Sequence, residues 1–240
     1  AQECVTRYGA DLISVRLEGT HPEKGNRSAE ESVSLVREIL KAVDVPVIVT
    51  GHNHYEKTNE VMKAVARDCE GENLVLNWVE QDNYKTIAGA ALAYGHTIVA
   101  QSPIDVNIAK QVNILLENLG MPMDRVIVDP TTGGLGYGLE YSYSVMERLR
   151  MAAMGQGDDK LQYPVINNLG NEIWKCKEAK LTAEEEPLLG DPEKRGILME
   201  AVGAVSYLMG GSDILILRHP ESARLVKAFI DLLVDGGSAA

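Results

Sequence analysis

Seven short runs rich in β-branched and other apolar residues punctuate the chain, at 12–17, 46–50, 73–78, 97–101, 126–128, 164–167 and 214–217. None alternates strictly between apolar and polar positions. Both faces of each strand are therefore expected to be buried, as in parallel strands covered by helices. Helical spacing fills the intervals. Val33, Val36, Leu40 and Val43 recur at three- and four-residue steps behind Ser28-Ala29-Glu30-Glu31, which can form a capping box. Gly95, Gly120, Gly155 and Gly210 each follow a helical stretch, where a left-handed residue stops a helix at little steric cost. Further helices are expected from about Glu140 and over 221–233.

Strand alternating with helix predicts an α/β fold with a parallel sheet. A closed barrel needs eight βα units, and seven are visible in the sequence. Residues 1–8 read as the tail of a helix. Tyr8-Gly9-Ala10-Asp11-Leu12-Ile13 then repeats the helix-stop-to-strand grammar of Gly210-Gly211-Ser212-Asp213-Ile214-Leu215. The expectation is a TIM (β/α)8 barrel in which 12–17 is the second strand and the first is missing from the N-terminus of this chain. No linker-like segment divides residues 1–240, so one domain is expected. The charged stretch 182–194 reads as an exterior loop.

Charge narrows the partners. A net charge of −12 argues against nucleic acid or an anionic membrane surface, both of which need a basic face. No apolar run reaches the roughly 18 residues of a membrane span. Cys4, Cys69 and Cys176 lie far apart and form no Cys-x-x-Cys pair. They read as reduced thiols of a cytoplasmic protein and cannot by themselves supply the ligands of an iron–sulfur cluster or a structural zinc.

Ligands of parallel α/β folds lie at the C-terminal strand ends. Those ends read Glu18-Gly19-Thr20-His21, Gly51-His52-Asn53-His54, Glu80-Gln81-Asp82-Asn83, Ser102-Pro103-Ile104-Asp105, Asp129-Pro130-Thr131-Thr132, Asn167-Asn168 and Arg218-His219. The ring is rich in amides, hydroxyls and carboxylates, which suit a polar heterocycle or the amide fringe of a large cofactor. Asp105 and Asp129 fit an acid–base pair, or two caps for backbone N–H groups. His52, His54 and His219 could meet as a metal triad, or lie on the surface; no ligand spacing supports the triad, and no metal is expected. Gly133-Gly134-Leu135-Gly136-Tyr137-Gly138 lacks the Lys-Ser/Thr of a phosphate loop and reads as a flexible βα loop beside Tyr141 and Tyr143. No Ser-His-Asp or Cys-His nucleophile pattern is apparent.

Long stretches carry a family resemblance: Asn83-Tyr84-Lys85-Thr86-Ile87-Ala88 through Ala91-Leu92-Ala93-Tyr94-Gly95-His96, then Ser102-Pro103-Ile104-Asp105-Val106-Asn107-Ile108-Ala109-Lys110-Gln111, then Asp129-Pro130-Thr131-Thr132-Gly133-Gly134-Leu135-Gly136-Tyr137-Gly138-Leu139-Glu140-Tyr141, and Arg218-His219-Pro220-Glu221. They resemble the small subunit of the corrinoid iron–sulfur protein, the delta subunit of the acetyl-CoA decarbonylase/synthase complex. The resemblance implies a TIM barrel related to pterin-binding methyltransferases. It implies a larger partner carrying the iron–sulfur cluster and most of the site for a shared cobalamin-type corrinoid. Acetyl-CoA synthase and CO dehydrogenase subunits, and a methyltransferase or tetrahydropterin, are the other implied partners. The subunit itself is then non-catalytic: it caps the corrinoid and scaffolds methyl transfer. The residues expected to face the cofactor are Asn53, Ser102, Asp105, Asp129, Thr131, Thr132, Asn168 and Arg218. The alternative is a pterin-binding methyltransferase acting on a corrinoid protein, with Asn53, Asp105, Asp129 and Asn168 gripping the pterin.

Overall fold

The computed structural model describes residues 1–234 and 236. The chain forms two compact units, Ala1–Asp129 with Asp159–Tyr163, and Pro130–Asp158 with Pro164–Ala240.

The first unit is a five-stranded parallel sheet in the order β1-β2-β3-β4-β5. Its strands are β1 (Ile13–Arg16), β2 (Val47–Thr50), β3 (Val75–Val79), β4 (Thr97–Gln101) and β5 (Val126–Asp129). A short α1 (Gln2–Thr6) precedes them, and α2 (Ala29–Ala42), α3 (Tyr55–Asp68), α4 (Tyr84–Tyr94) and α5 (Val106–Leu119) connect them. The capping box expected at Ser28 is present: its hydroxyl accepts the Glu31 N–H, and Glu31 accepts the Ser28 N–H. Val33 and Val36 on α2, Val61 and Val65 on α3, Ile87 and Ala91 on α4, and Val112 and Leu116 on α5 pack against Val47, Val49, Leu76, Ile98 and Val126 of the sheet. Fully buried His96 adds a polar tie. Its Nδ1 accepts the Leu74 N–H at 3.1 Å, so its Nε2–H donates to the Ala66 carbonyl at 2.8 Å. A neutral ring thereby joins the end of α3 to the start of β3.

The second unit pairs β6 (Ile166–Asn167) with β7 (Ile214–Leu215) in parallel. Around them lie α6 (Leu139–Arg150), α7 (Leu169–Ile173), α8 (Lys177–Lys180), α9 (Pro192–Met209) and α10 (Pro220–Val234). Met146, Leu169, Ile173, Ala201, Ala204, Tyr207 and Val226 form its core. Glycine lets α9 pack tightly: a Cβ at Gly196 would lie 2.6 Å from the Trp174 ring. The stretch 182–194 is exposed, with a 3-10 turn at Pro187–Leu189. Arg195 holds it in place by donating to the carbonyls of Glu178, Leu181, Leu189 and Gly190 at 2.5 to 3.0 Å.

Two helix stops differ from expectation. Gly95 and Gly120 are left-handed caps, at φ 76° and 89°. Gly210 instead stays right-handed, and Gly211 takes φ 101° one residue later. Gly155 closes a π-helical turn, Met151–Gly155, and the left-handed residue is Gly157. β6 and β7 are also shorter than the apolar runs, and just before β6 the Val165 N–H is held by Asp213 Oδ2 at 2.7 Å.

Candidate functional site

The register of the first unit's sheet shows which side chains share a face. Arg16 pairs with Thr50, Thr50 with Asn77, Asn77 with Val99, Val99 with Ile127, and Gln101 with Asp129. Neighbours in parallel register point to the same side. The helix-packed face belongs to Val47, Val49, Leu76, Ile98 and Val126. The opposite face therefore ends in Arg16, Thr50, Asn77, Gln101 and Asp129, one polar side chain from each strand. Thr50, Asn77 and Asp129 are buried. Asn77 Nδ2 reaches Thr50 Oγ1 only at 3.5 Å, and its Oδ1 has no protein partner. Of these five, sequence reasoning singled out Asp129 alone. Continuing the two-residue period of the strands to their last residues would have found the other four.

The loop residues leaving this sheet divide by exposure. Asn53 is exposed and Asp105 half-buried, while Ser102 is buried. Asp105 caps α5, its Oδ1 accepting the N–H of Asn107 at 2.7 Å and of Ile108 at 3.2 Å. The Asp129 carbonyl accepts the Ser102 N–H at 2.9 Å and fixes the start of that loop. The Tyr55 hydroxyl donates to Glu80, which pushes its pKa up to about 12 and keeps the phenol protonated. His52 and His54 are joined by His21 rather than by His219, with ring centroids 4.9 to 6.4 Å apart. Burial, and then the adjacent His21, push the His52 pKa below the ordinary imidazole value. His219 belongs to the second unit and stacks on Trp174 at 5.7 Å. Among the described residues, no three His, Cys, Asp or Glu side chains are placed to hold a metal ion. Burial also raises the thiols of Cys69 and Cys176, which weakens them as nucleophiles.

In the second unit, Thr131 stands at φ 71°, a left-handed backbone that costs a β-branched residue roughly 1–3 kcal/mol. Strain of this kind gathers at functional turns. Thr132 beside it is spent on structure. Its hydroxyl oxygen accepts the Asn168 N–H at 3.0 Å and lies 3.3 Å from Asn167 Nδ2. Thr132→Val keeps the shape and strands that amide, so a loss of about 1–2 kcal/mol is expected in a denaturant titration. Unchanged stability would mean that water replaces the hydroxyl. Asn168 remains half-buried, and its side chain makes no capping bond to α7. Arg218 is exposed, its guanidinium 5.9 Å from the Trp174 ring centroid. The turn that carries it is anchored from behind. Fully buried Glu200 accepts the N–H groups of Arg218 at 2.6 Å and His219 at 3.1 Å.

The glycine run is pinned as well. The Gly133 N–H points to Ser142 Oγ at 3.0 Å and Tyr207 Oη at 2.9 Å, while the Tyr207 hydroxyl donates back to the Gly133 carbonyl at 2.6 Å. A flexible loop was expected here; its base is instead fixed by a buried tyrosine. Tyr137, whose hydroxyl donates to Glu178 at 2.8 Å, and Tyr141 are both exposed. The strand ends of each unit offer hydrogen bonding: amides, hydroxyls and a guanidinium group in both, and carboxylates in the first.

Residues 1–230 match the family model for the CO dehydrogenase/acetyl-CoA synthase delta subunit. The chain belongs to this family. Delta subunits of the acetyl-CoA decarbonylase/synthase complex are similar along its whole length. That of Methanopyrus kandleri is 37% identical over 98% of the chain, and that of Archaeoglobus fulgidus 34% identical over 100%. The chain spans 58% and 54% of those two relatives. Among solved structures, a Yersinia pestis DHPS with a pterine-sulfa conjugate superposes with a TM-score of 0.65 at 16% identity, covering 95% of this chain and 84% of that one. The fold of this delta-subunit family member is thus that of the dihydropteroate synthases, a TIM barrel. Seven strands are present among the described residues, one fewer than the eight of a full barrel. No helix among those residues is long and apolar enough to cross a membrane.

Proposed function

We propose that the chain is a non-catalytic part of a corrinoid iron–sulfur protein, covering the corrinoid and scaffolding methyl transfer between a tetrahydropterin and acetyl-CoA synthase. The observation that carries this reading, beside family membership, is the division of the strand-end residues. In the first unit Asn53 is exposed and Asp105 half-buried, and in the second Thr131 and Asn168 are half-buried and Arg218 exposed, whereas Ser102, Asp129 and Thr132 are buried. The accessible set offers donors and acceptors for peripheral amides, which fits a macrocycle edged with them. When bound, the corrinoid would carry the methyl group; the part of these side chains is to orient it and limit water. Cys4 is exposed while Cys69 and Cys176 are buried, and all three are free thiols. An iron–sulfur cluster is accordingly assigned to a larger partner subunit. Acetyl-CoA synthase and CO dehydrogenase subunits, a cytoplasmic setting and a single barrel domain over 1–240 belong to the same proposal.

Asn53→Ala and Arg218→Ala test it, because both side chains are exposed and removing them leaves the core intact. In a complex reconstituted with a large corrinoid subunit, each is expected to weaken cobalamin retention several-fold, as for one lost hydrogen bond of about 1 kcal/mol. Normal retention by both variants would sink the corrinoid-facing role.

A second reading is a pterin-binding methyltransferase acting on a corrinoid protein. Two observations favour it: the fold shared with a pterin-conjugate-bound DHPS, and the buried Asn77 amide whose Oδ1 has no protein partner. An amide and a carboxylate on one sheet face are the groups that pair with an aminopyrimidinone edge. Titration of this chain alone with a methyl-tetrahydropterin separates the readings. Micromolar binding favours the second, and none favours the first.

A further inference from the structure

Three imidazoles crowd the loops leaving β1 and β2, and each does the same work with the same atom. His21 Nδ1 accepts the Glu23 N–H at 3.2 Å, His52 Nδ1 accepts the His54 N–H at 3.2 Å, and His54 Nδ1 accepts the Lys57 N–H at 3.3 Å as the cap of α3. The His52 tautomer is also fixed from its far side. The Thr20 hydroxyl donates to the Leu17 carbonyl at 2.7 Å, which leaves its oxygen to accept from His52 Nε2–H at 2.9 Å. An imidazole nitrogen accepts only while it carries no proton. The geometry therefore requires the His52 ring to be neutral, with its proton on Nε2.

The surroundings of His52 oppose a cation. Arg16 ends β1, Glu18 begins the following turn, and the first turn of α3 brings Glu56 and Lys57, the latter pairing with Glu60 at 3.2 Å. Of the groups acting on His52, only Glu18 favours imidazolium, and Glu18 is already engaged by Arg16 and Lys24.

We propose that His52 is a proton-operated latch on the β1 and β2 loops: they are held while its ring is neutral, and proton uptake at its Nδ1 releases the His54 amide and crowds a cation against the His21 and His54 rings 4.9 and 6.4 Å away. The proton comes from solvent, and no other reactant is needed. The sign follows from the lowered proton affinity of His52. At this ring the unfolded chain binds more of the proton than the folded one as pH falls below about 6.5, so the stability the latch contributes is present above that value and lost as pH falls through the folded-state value. Asn53 lies between two of the three rings in sequence, and its loop is freed with the His54 amide.

The test is an NMR titration of the full ¹⁵N-labelled chain from pH 8 to pH 5, reading ring nitrogens and amide protection factors. The His52 ring is expected to show the Nε2–H form at pH 7.5. Protection at His54 is expected to fall by about tenfold or more as pH drops below the ordinary imidazole value, tenfold being one pK unit. His52→Asn keeps an acceptor for the amide two residues on that does not titrate, so protection at His54 should become flat with pH. Titration of the His52 ring at or above the ordinary value, or unaltered pH dependence at His54 in the Asn variant, would each overturn the latch.

Discussion

Glu200→Leu is expected to lower stability by about 3 kcal/mol and to displace Arg218. The carboxylate is fully buried, and its two oxygens accept the backbone N–H groups of Arg218 and His219. Leucine leaves both donors buried without partners, which costs roughly 1–3 kcal/mol for each. For a chain of this length that corresponds to a fall in Tm of roughly 6–12 °C by calorimetry. The turn is also clamped from the other side: the Gly170 N–H donates to the Ile216 carbonyl at 2.8 Å, and a Cβ at Gly170 would lie 2.8 Å from the Arg218 nitrogen. Glu200→Gln retains one acceptor and should fall between the two. If Glu200→Leu melts with the parent protein, the turn holds itself and Glu200 does not anchor it.

Gly133→Ala should be worse tolerated, for a reason unrelated to backbone angles. Gly133 is not among the residues with positive φ. Its difficulty is space: an added Cβ would sit on the Gly138 carbonyl and 2.7 Å from the Leu139 nitrogen. These are backbone atoms and cannot rotate aside, so the loop must open and give up the bonds to Ser142 and Tyr207. A loss of at least about 3 kcal/mol is expected, with tyrosine fluorescence reporting the release of Tyr207. Gly136→Ala is the contrast, since it has open space and φ 73°. There the cost is only the left-handed conformation, roughly 1–2 kcal/mol. Equal melting temperatures for the two variants would refute the packing argument.

The strands were legible in the sequence because parallel strands buried on both faces leave uninterrupted apolar runs. The run at 97–101 coincides with β4. The run at 73–78 begins two residues before β3, because Asn73 adopts φ 46° and cannot extend the ladder. Glycine stops were legible where one residue ends the helix, as at Gly95. They were not at Gly210, where two adjacent glycines share the turn and local sequence does not say which becomes left-handed. The candidate site was half legible. Loop residues such as Asn53 and Asp105 stand out by type. Thr50, Asn77 and Gln101 hide inside apolar runs, and only strand register puts them on one face. The roles of the histidines were not legible at all, since what matters is which backbone amide each ring nitrogen meets.

One tie also sets an order on how the chain can be assembled. The loop after β5 is held by the Tyr207 hydroxyl, 74 residues further along. On a ribosome adding roughly 5–20 residues per second, that segment emerges several seconds before its anchor exists. Until α9 arrives, the glycine run is unfastened chain, and Tyr137 and Tyr141 are nascent-chain aromatics open to chaperones. The same helix brings Glu200, two turns before Tyr207, so the turn at Arg218 is fastened by a helix already made. One helix therefore fastens both loops, the first after a wait and the second on arrival, and a stop in translation between residues 138 and 207 would leave the first of them unset.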